Sequence, residues 1–127
     1  MALLKYGTED VLRGKMVEVG WHEAVVKEIV ESAAATDGST NWKLTVVIRE
    51  GGKFDGVPLD RYFNEKAPGF ALNYFKAHGA NIDEKNGGDL DFQKTIGRPI
   101  GIFVEIEEYQ KRPKNVIKDF RPPKNKA

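Results

Sequence analysis

The sequence predicts a small all-β domain that carries one helix. Segments of alternating apolar and polar residues recur along the chain, and turn-forming residues separate them. Only one stretch, Pro68 to Gly79, has both a start and a stop signal for a helix. A length of 127 residues fits one domain able to bury a real core.

Met1 to Arg13 is weakly patterned. Thr8 or Asp10 could cap a short helical turn through Val11 and Leu12, which Gly14 would stop. From Lys15 to Ser32 the chain is rich in Val and Ile: Ala24, Val26 and Val30 fall on one face, Val25 and Ile29 on the other. A strand of that length with apolar residues on both faces is expected to bend and serve two sheets or two parts of a barrel, and Gly20 is the natural place for that bend or a bulge. Ala33 to Asn41 is a polar, glycine-containing hairpin loop. In the second strand Trp42, Leu44, Val46 and Ile48 alternate with Lys43, Thr45, Val47 and Arg49, giving one apolar face. Glu50 to Lys53 turns the chain, and Phe54 to Asn64 returns as a third strand that Pro58 places at a sheet edge or bulge.

Pro68 fits the first helical position, where its missing N–H costs nothing. Ala71, Leu72 and Phe75 make an apolar stripe with Tyr74 at its border, and Gly79 suits a left-handed cap. Ala80 to Thr95 is an irregular linker pinned by Leu90 and Phe92. Ile100, Ile102, Val104 and Ile106 mark a fourth strand, Gln110 to Lys114 a basic turn and Asn115 to Phe120 a short fifth strand. Residues 121–127 form a basic, proline-containing flexible tail behind a single domain at 1–120. Three strands, a helix and two strands is the order of the five-stranded Greek-key OB-fold barrel, with the helix between strands three and four.

Charge is uneven although the net is only +1. From Tyr109 onward seven Lys or Arg face one acid, Asp119, so the preceding residues carry a net of −5. A basic end on an acidic body predicts a local anionic partner, either a polyanion or an acidic protein. There is no cysteine, hence no disulfide, thiol catalysis or Cys-based zinc site. No apolar run approaches the ~20 residues of a membrane span, and the first residues lack a signal-peptide pattern, so a cytoplasmic protein is expected.

No enzyme is expected, and no cofactor. Glu105 and Glu107 share a strand face that reads as a solvated edge, and His22 and His78 have no ligand spacing. His78, in the last helical turn, fits the helix dipole. Gly51-Gly52-Lys53 lacks the spacing of a phosphate loop, and Asp83, Asn86, Asp89 and Asp91 lack that of a calcium loop.

Gly52-Lys53-Phe54-Asp55-Gly56, followed by Leu59 and Tyr62-Phe63-Asn64, resembles the central hairpin of small phage-encoded OB-fold single-stranded DNA-binding proteins. Gly20 to Val25 resembles their first strand, Phe70 to Gly79 their helix, Ile96-Gly97-Arg98-Pro99 their lead into strand four, and Tyr109 with Asn115-Val116-Ile117 their closing hairpin. The resemblance spans roughly Gly14 to Pro122 and implies a barrel that coats single-stranded DNA in phage replication or recombination, in the host cytoplasm. Replication or recombination proteins, and further copies of the chain, are the protein partners it implies. Many proteins of this type end in an acidic tail that recruits partners; this chain ends basic.

Such binding needs cations that track phosphates and aromatic faces on which bases stack, on the outer face of strands two and three and the adjoining loops. Strand two offers Lys43 and Arg49. Strand three offers Arg61 or Tyr62: if Leu59 and Phe63 are core, Tyr62 is outward and Arg61 surfaces only near a bulge. Tyr109, Lys111, Arg112 and Lys114 concentrate one aromatic and three cations within six positions. Trp21 is a further stacking candidate, with core or rim packing as the alternative for it and for Tyr62. The competing function is a protein-interaction module on the same barrel, acting through its basic C-terminal region.

Overall fold

The computed structural model describes residues 2–124, without the side chains of Glu9 and Tyr109. In chain order the elements are α1 (Thr8–Arg13), β1 (Gly20–Ala33), β2 (Thr40–Ile48), β3 (Pro58–Asn64), α2 (Gly69–Ala77), a 3₁₀ turn (Phe92–Thr95), β4 (Pro99–Tyr109) and β5 (Arg112–Arg121). The strands form one antiparallel sheet in the order β3-β2-β1-β4-β5. Two α-helices are present where one was expected, because the N-terminal turn is a helix. Its cap is Gly7 rather than Thr8 or Asp10; the Asp10 carboxylate reaches back to accept the Gly7 N–H at 2.8 Å.

β1 does not divide between two sheets; it is the central strand of one, with Ala24 to Ala33 paired to β2 and Gly20 to Val25 paired to β4. Its irregularity lies at Lys27, not Gly20, which opens the strand. The extra residue changes which side chains face inward. Val26 and Ile29, three apart, are both buried, whereas Val30, expected inside, is exposed. β2 is buried on both faces at its centre. Leu44, Val46 and Ile48 face the core as alternation predicts, and Thr45 and Val47 are buried on the other side. Leu12 of α1 covers that side, sharing an apolar hollow with Val25, Val47 and Pro58.

β3 begins at Pro58 rather than Phe54, since residues 50–56 form a turn in which the Asp55 carboxylate accepts the N–H groups of Glu50 and Gly51, both at 3.1 Å. Pro58 lies on an edge strand, as its missing N–H requires. α2 closes on left-handed Gly79 (φ 85°), with the Ala80 N–H donating to the Phe75 carbonyl at 3.0 Å. Tyr74, expected at the border of the helix stripe, is fully buried; its hydroxyl pairs with Thr95 Oγ1 at 2.6 Å, which satisfies the polar end of the ring. Phe92 pins the linker as expected, but Leu90 stays exposed. β5 continues through Arg121, which pairs with Gly101, so the tail starts at Pro122. Residues 125–127, including Lys126, lie outside the described residues.

The expected barrel is not closed. Cα atoms of β3 and β5 come within 8 Å of each other, yet no ladder joins the two strands. Aromatic packing brings them together: Phe63 of β3 meets Phe70, Tyr74, Phe92 and Phe120 at ring-centroid distances of 5.8, 5.4, 5.3 and 6.1 Å. A segment preceding β1 is fastened to β5 by one amide side chain. Asn115 Oδ1 accepts the Val17 N–H at 2.7 Å, its Nδ2 donates to the Val17 carbonyl at 2.9 Å, and Val17 is fully buried. Among the described residues no helix is long and apolar enough to cross a membrane.

Asn115→Ala strips both partners from the buried backbone of Val17. The variant is expected to lose about 1–3 kcal/mol of stability in urea denaturation, with the fold retained by far-UV circular dichroism.

Candidate functional site

A groove of about 730 Å³ lies between β3, the first half of β5 and residues 13–16. Among the described residues five cations line it, Arg13, Lys15, Lys43, Arg61 and Lys114, with a single acid, Asp60, and with Tyr62. Strand geometry places most of them. Alternation turns Lys43 away from core residue Leu44, and the β2–β3 register sets it directly beside Tyr62, which is 59% exposed. Leu59 and Phe63 are core, so Tyr62 is the outward residue of its pair. Arg61 points the other way, its guanidinium 4.1 Å above the Phe70 ring, and its buried Nε has no hydrogen-bond partner. Arg61 is nonetheless among the residues that line the groove. Lys114, opposite Glu107 in the β4–β5 register, comes in from the far wall.

Asp60 organises the floor. Its Oδ1 accepts the Thr45 hydroxyl at 2.8 Å, and its Oδ2 lies 3.5 Å from Arg13 and 3.8 Å from Lys43.

The structure thus brings together Lys43, Arg61, Tyr62 and Lys114 of the predicted residues. Lys111 and Arg112 are exposed on the β4–β5 hairpin, outside the groove lining. Their two-residue turn holds Gln110 and Lys111 at φ 50° and 64°, a left-handed pair that usually calls for Asn-Gly. The backbone of Tyr109 pairs with Arg112, while its side chain lies outside the described residues. Arg49 sits in the separate apolar hollow beside Leu12, bonded to the Ile48 carbonyl at 3.3 Å. Trp21 is also elsewhere. Phe103 meets it edge-on at 5.2 Å, and the Arg121 guanidinium covers its face at 4.5 Å. Gly101 makes that possible, since a Cβ there would stand 2.7 Å from Arg121 Cγ.

Arg13, Lys15 and Asp60 escaped the sequence reading. The only available signal was that two cations flank Gly14, and nothing local says that this segment crosses to β3.

His22 and Asp83, two polar residues the sequence singled out, are tied into the scaffold. His22 bridges Glu50 Oε1 at 2.5 Å and the Glu18 carbonyl at 2.7 Å. Asp83 accepts the N–H groups of Asn86 and Lys85, both at 3.0 Å, bonds that hold its carboxyl below the usual range. Among the described residues no group of three or more His, Asp or Glu could hold a metal ion. The groove's cations offer contacts to phosphate, and the exposed Tyr62 ring offers a face to a planar group. The chain matches no family model and no curated protein, so the groove itself carries the functional argument.

His78 corrects one expectation. It caps α2, but burial first and the nearby Arg98 second push its pKa down to about 4, so near neutral pH it has no charge to offer the helix dipole. The folded value lies below the unfolded 6.5, and the folded state therefore binds fewer protons between them. Its contribution to stability is complete above about pH 6.5 and is lost as pH falls towards about 4. Allowing for partial solvent access, roughly 1–3 kcal/mol is at stake. Urea titrations of wild type and His78→Gln at pH 7 and pH 4.5 should show a smaller acid-induced loss in the variant.

Proposed function

We propose that the protein binds single-stranded DNA, with little base preference, along the β3–β5 groove of an OB-type barrel left unzipped between its third and last strands. The observation that carries this reading is a groove with five cations and one acid next to an outward tyrosine. Free strands differ from duplex in offering unpaired bases to stack, and every base has a π-face that a tyrosine can accept. Phosphates supply the sequence-independent part of the affinity.

The strand arrangement supports the barrel assignment. A three-strand meander, a helix, and a hairpin whose first strand packs back on β1 is a five-stranded Greek-key layout. The groove draws on Lys43 of strand two, on strand three and on the first half of β5, and the face of strands two and three is the surface on which OB-folds bind oligonucleotides. The resemblance to phage proteins supports a role in replication or recombination of phage DNA in the host cytoplasm. Charge supports confinement of the strand to this path, because the residues before Tyr109 carry a net of −5 and repel phosphate elsewhere.

Fluorescence anisotropy of a labelled ~30-nucleotide oligo-dT, titrated at low and high salt with a duplex control, tests the reading. Tight, salt-sensitive binding that prefers the single strand is expected. Tyr62→Ala should weaken it about 5- to 150-fold, the equivalent of ~1–3 kcal/mol for one stacked base. Lys43→Ala should flatten the salt slope by about 0.7. Absence of binding at low salt overturns the proposal in favour of a protein partner for the basic end.

A further inference from the structure

Asp60 is the single acid in a groove lined by five cations, and its two carboxylate oxygens are held differently. Oδ1 is fixed by the hydroxyl of Thr45, a residue only 2% exposed, at 2.8 Å. Oδ2 faces Arg13 and Lys43 at 3.5 and 3.8 Å, beyond the ~2.7–2.9 Å of a charge-assisted hydrogen bond, with both cationic side chains partly exposed (43% and 39%). One oxygen is anchored to the sheet; the other loosely occupies two cations.

We propose that Asp60 is a built-in competitor of phosphate, which lowers the groove's affinity for anions and sets a threshold that an extended polyanion passes and a single phosphate does not. The inference rests on the nucleic-acid reading of the same groove and adds the residue that selects the ligand. A phosphate that approaches Lys43 and Arg13 displaces long, solvent-exposed ion pairs, so the exchange itself costs little. The carboxylate cannot leave with them, because Thr45 keeps it on β2, and its charge then opposes the phosphate at close range. For a lone phosphate, the attraction of two cations is offset by one fixed anion. A chain of phosphates also engages Lys15, Arg61 and Lys114, and the same penalty is spread over several favourable contacts.

Asp60→Asn removes the charge and keeps an oxygen that can accept from Thr45. In the anisotropy titration this variant should bind oligo-dT about 5- to 10-fold more tightly than wild type at low salt, with the gain shrinking as salt screens the pair. Calorimetry should detect thymidine monophosphate binding to Asp60→Asn at concentrations where wild type shows none. Thr45→Val, which frees the carboxylate to turn aside, should move affinity in the same direction by a smaller factor. Glu84→Gln removes one acid outside the groove lining and should leave affinity unchanged. Thermal melting of each variant checks that the fold is kept. Oligo-dT affinity in Asp60→Asn equal to or below wild type overturns the proposal, since Asp60 would then be positioning Arg13 and Lys43 for the ligand. An equal gain in Glu84→Gln overturns it too, by reducing the effect to net charge. If neither wild type nor Asp60→Asn binds oligo-dT or the monophosphate, the function and the inference fall together; binding by wild type with no gain in the variant removes only the inference.

Discussion

Because β3 and β5 share no backbone ladder, the ring of Phe63 holds the two ends of the sheet beside each other. It touches one aromatic side chain from the 3₁₀ turn, one from β5 and two at α2, so four parts of the chain converge on a single phenyl group. Aromatic packing of this kind is strong but tolerant of separation in a way that hydrogen bonds are not: centroids 4.5–7 Å apart still attract, whereas a ladder demands strands about 4.8 Å apart. The sheet curls, its edges approach, and a gap persists between them. The groove is that gap. Arg61 shows the consequence most directly, since its inward-pointing side chain would be walled in by a fifth strand pair between β3 and β5 and instead lies over Phe70.

Charge follows the same geometry. The body of the domain is acidic and the groove is basic, with its five cations supplied by four separate pieces of backbone: Arg13 and Lys15 by the segment around Gly14, Lys43 by β2, Arg61 by β3 and Lys114 by β5. No local run of basic residues creates the site. Convergence of distant segments does, and this is why a near-neutral chain can present a strongly positive path.

Much of the scaffold was legible in the sequence wherever the signal was local. Alternation in β2, the proline that confines β3 to an edge, and the glycine that ends α2 each act over a few residues. Misreadings occurred where a remote partner decides. Tyr74 reads as a border residue until Thr95, 21 positions away, satisfies its hydroxyl. Trp21 reads as a stacking platform until Gly101 admits Arg121 over its face. The bulge at Lys27 has no glycine to announce it; the demand to bury Ile29 imposes it. For the site, alternation singled out Lys43 and Tyr62, while Arg13 and Lys15 were silent because the contact that fastens their segment joins residues 98 positions apart.

That separation has a consequence for how the chain is made. Val17 leaves the ribosome 98 residues ahead of Asn115, and at about 5–20 residues per second roughly 5–20 s separate the two. β1 and β2 can pair early, but the half of β1 that belongs to β4 waits with its edge unpaired. The nascent chain therefore passes through an interval in which an apolar strand edge is exposed, and the seam is sewn only once Asn115 has emerged. Rapid, crowded synthesis is the circumstance in which this small domain is most exposed to edge-to-edge association with its own copies.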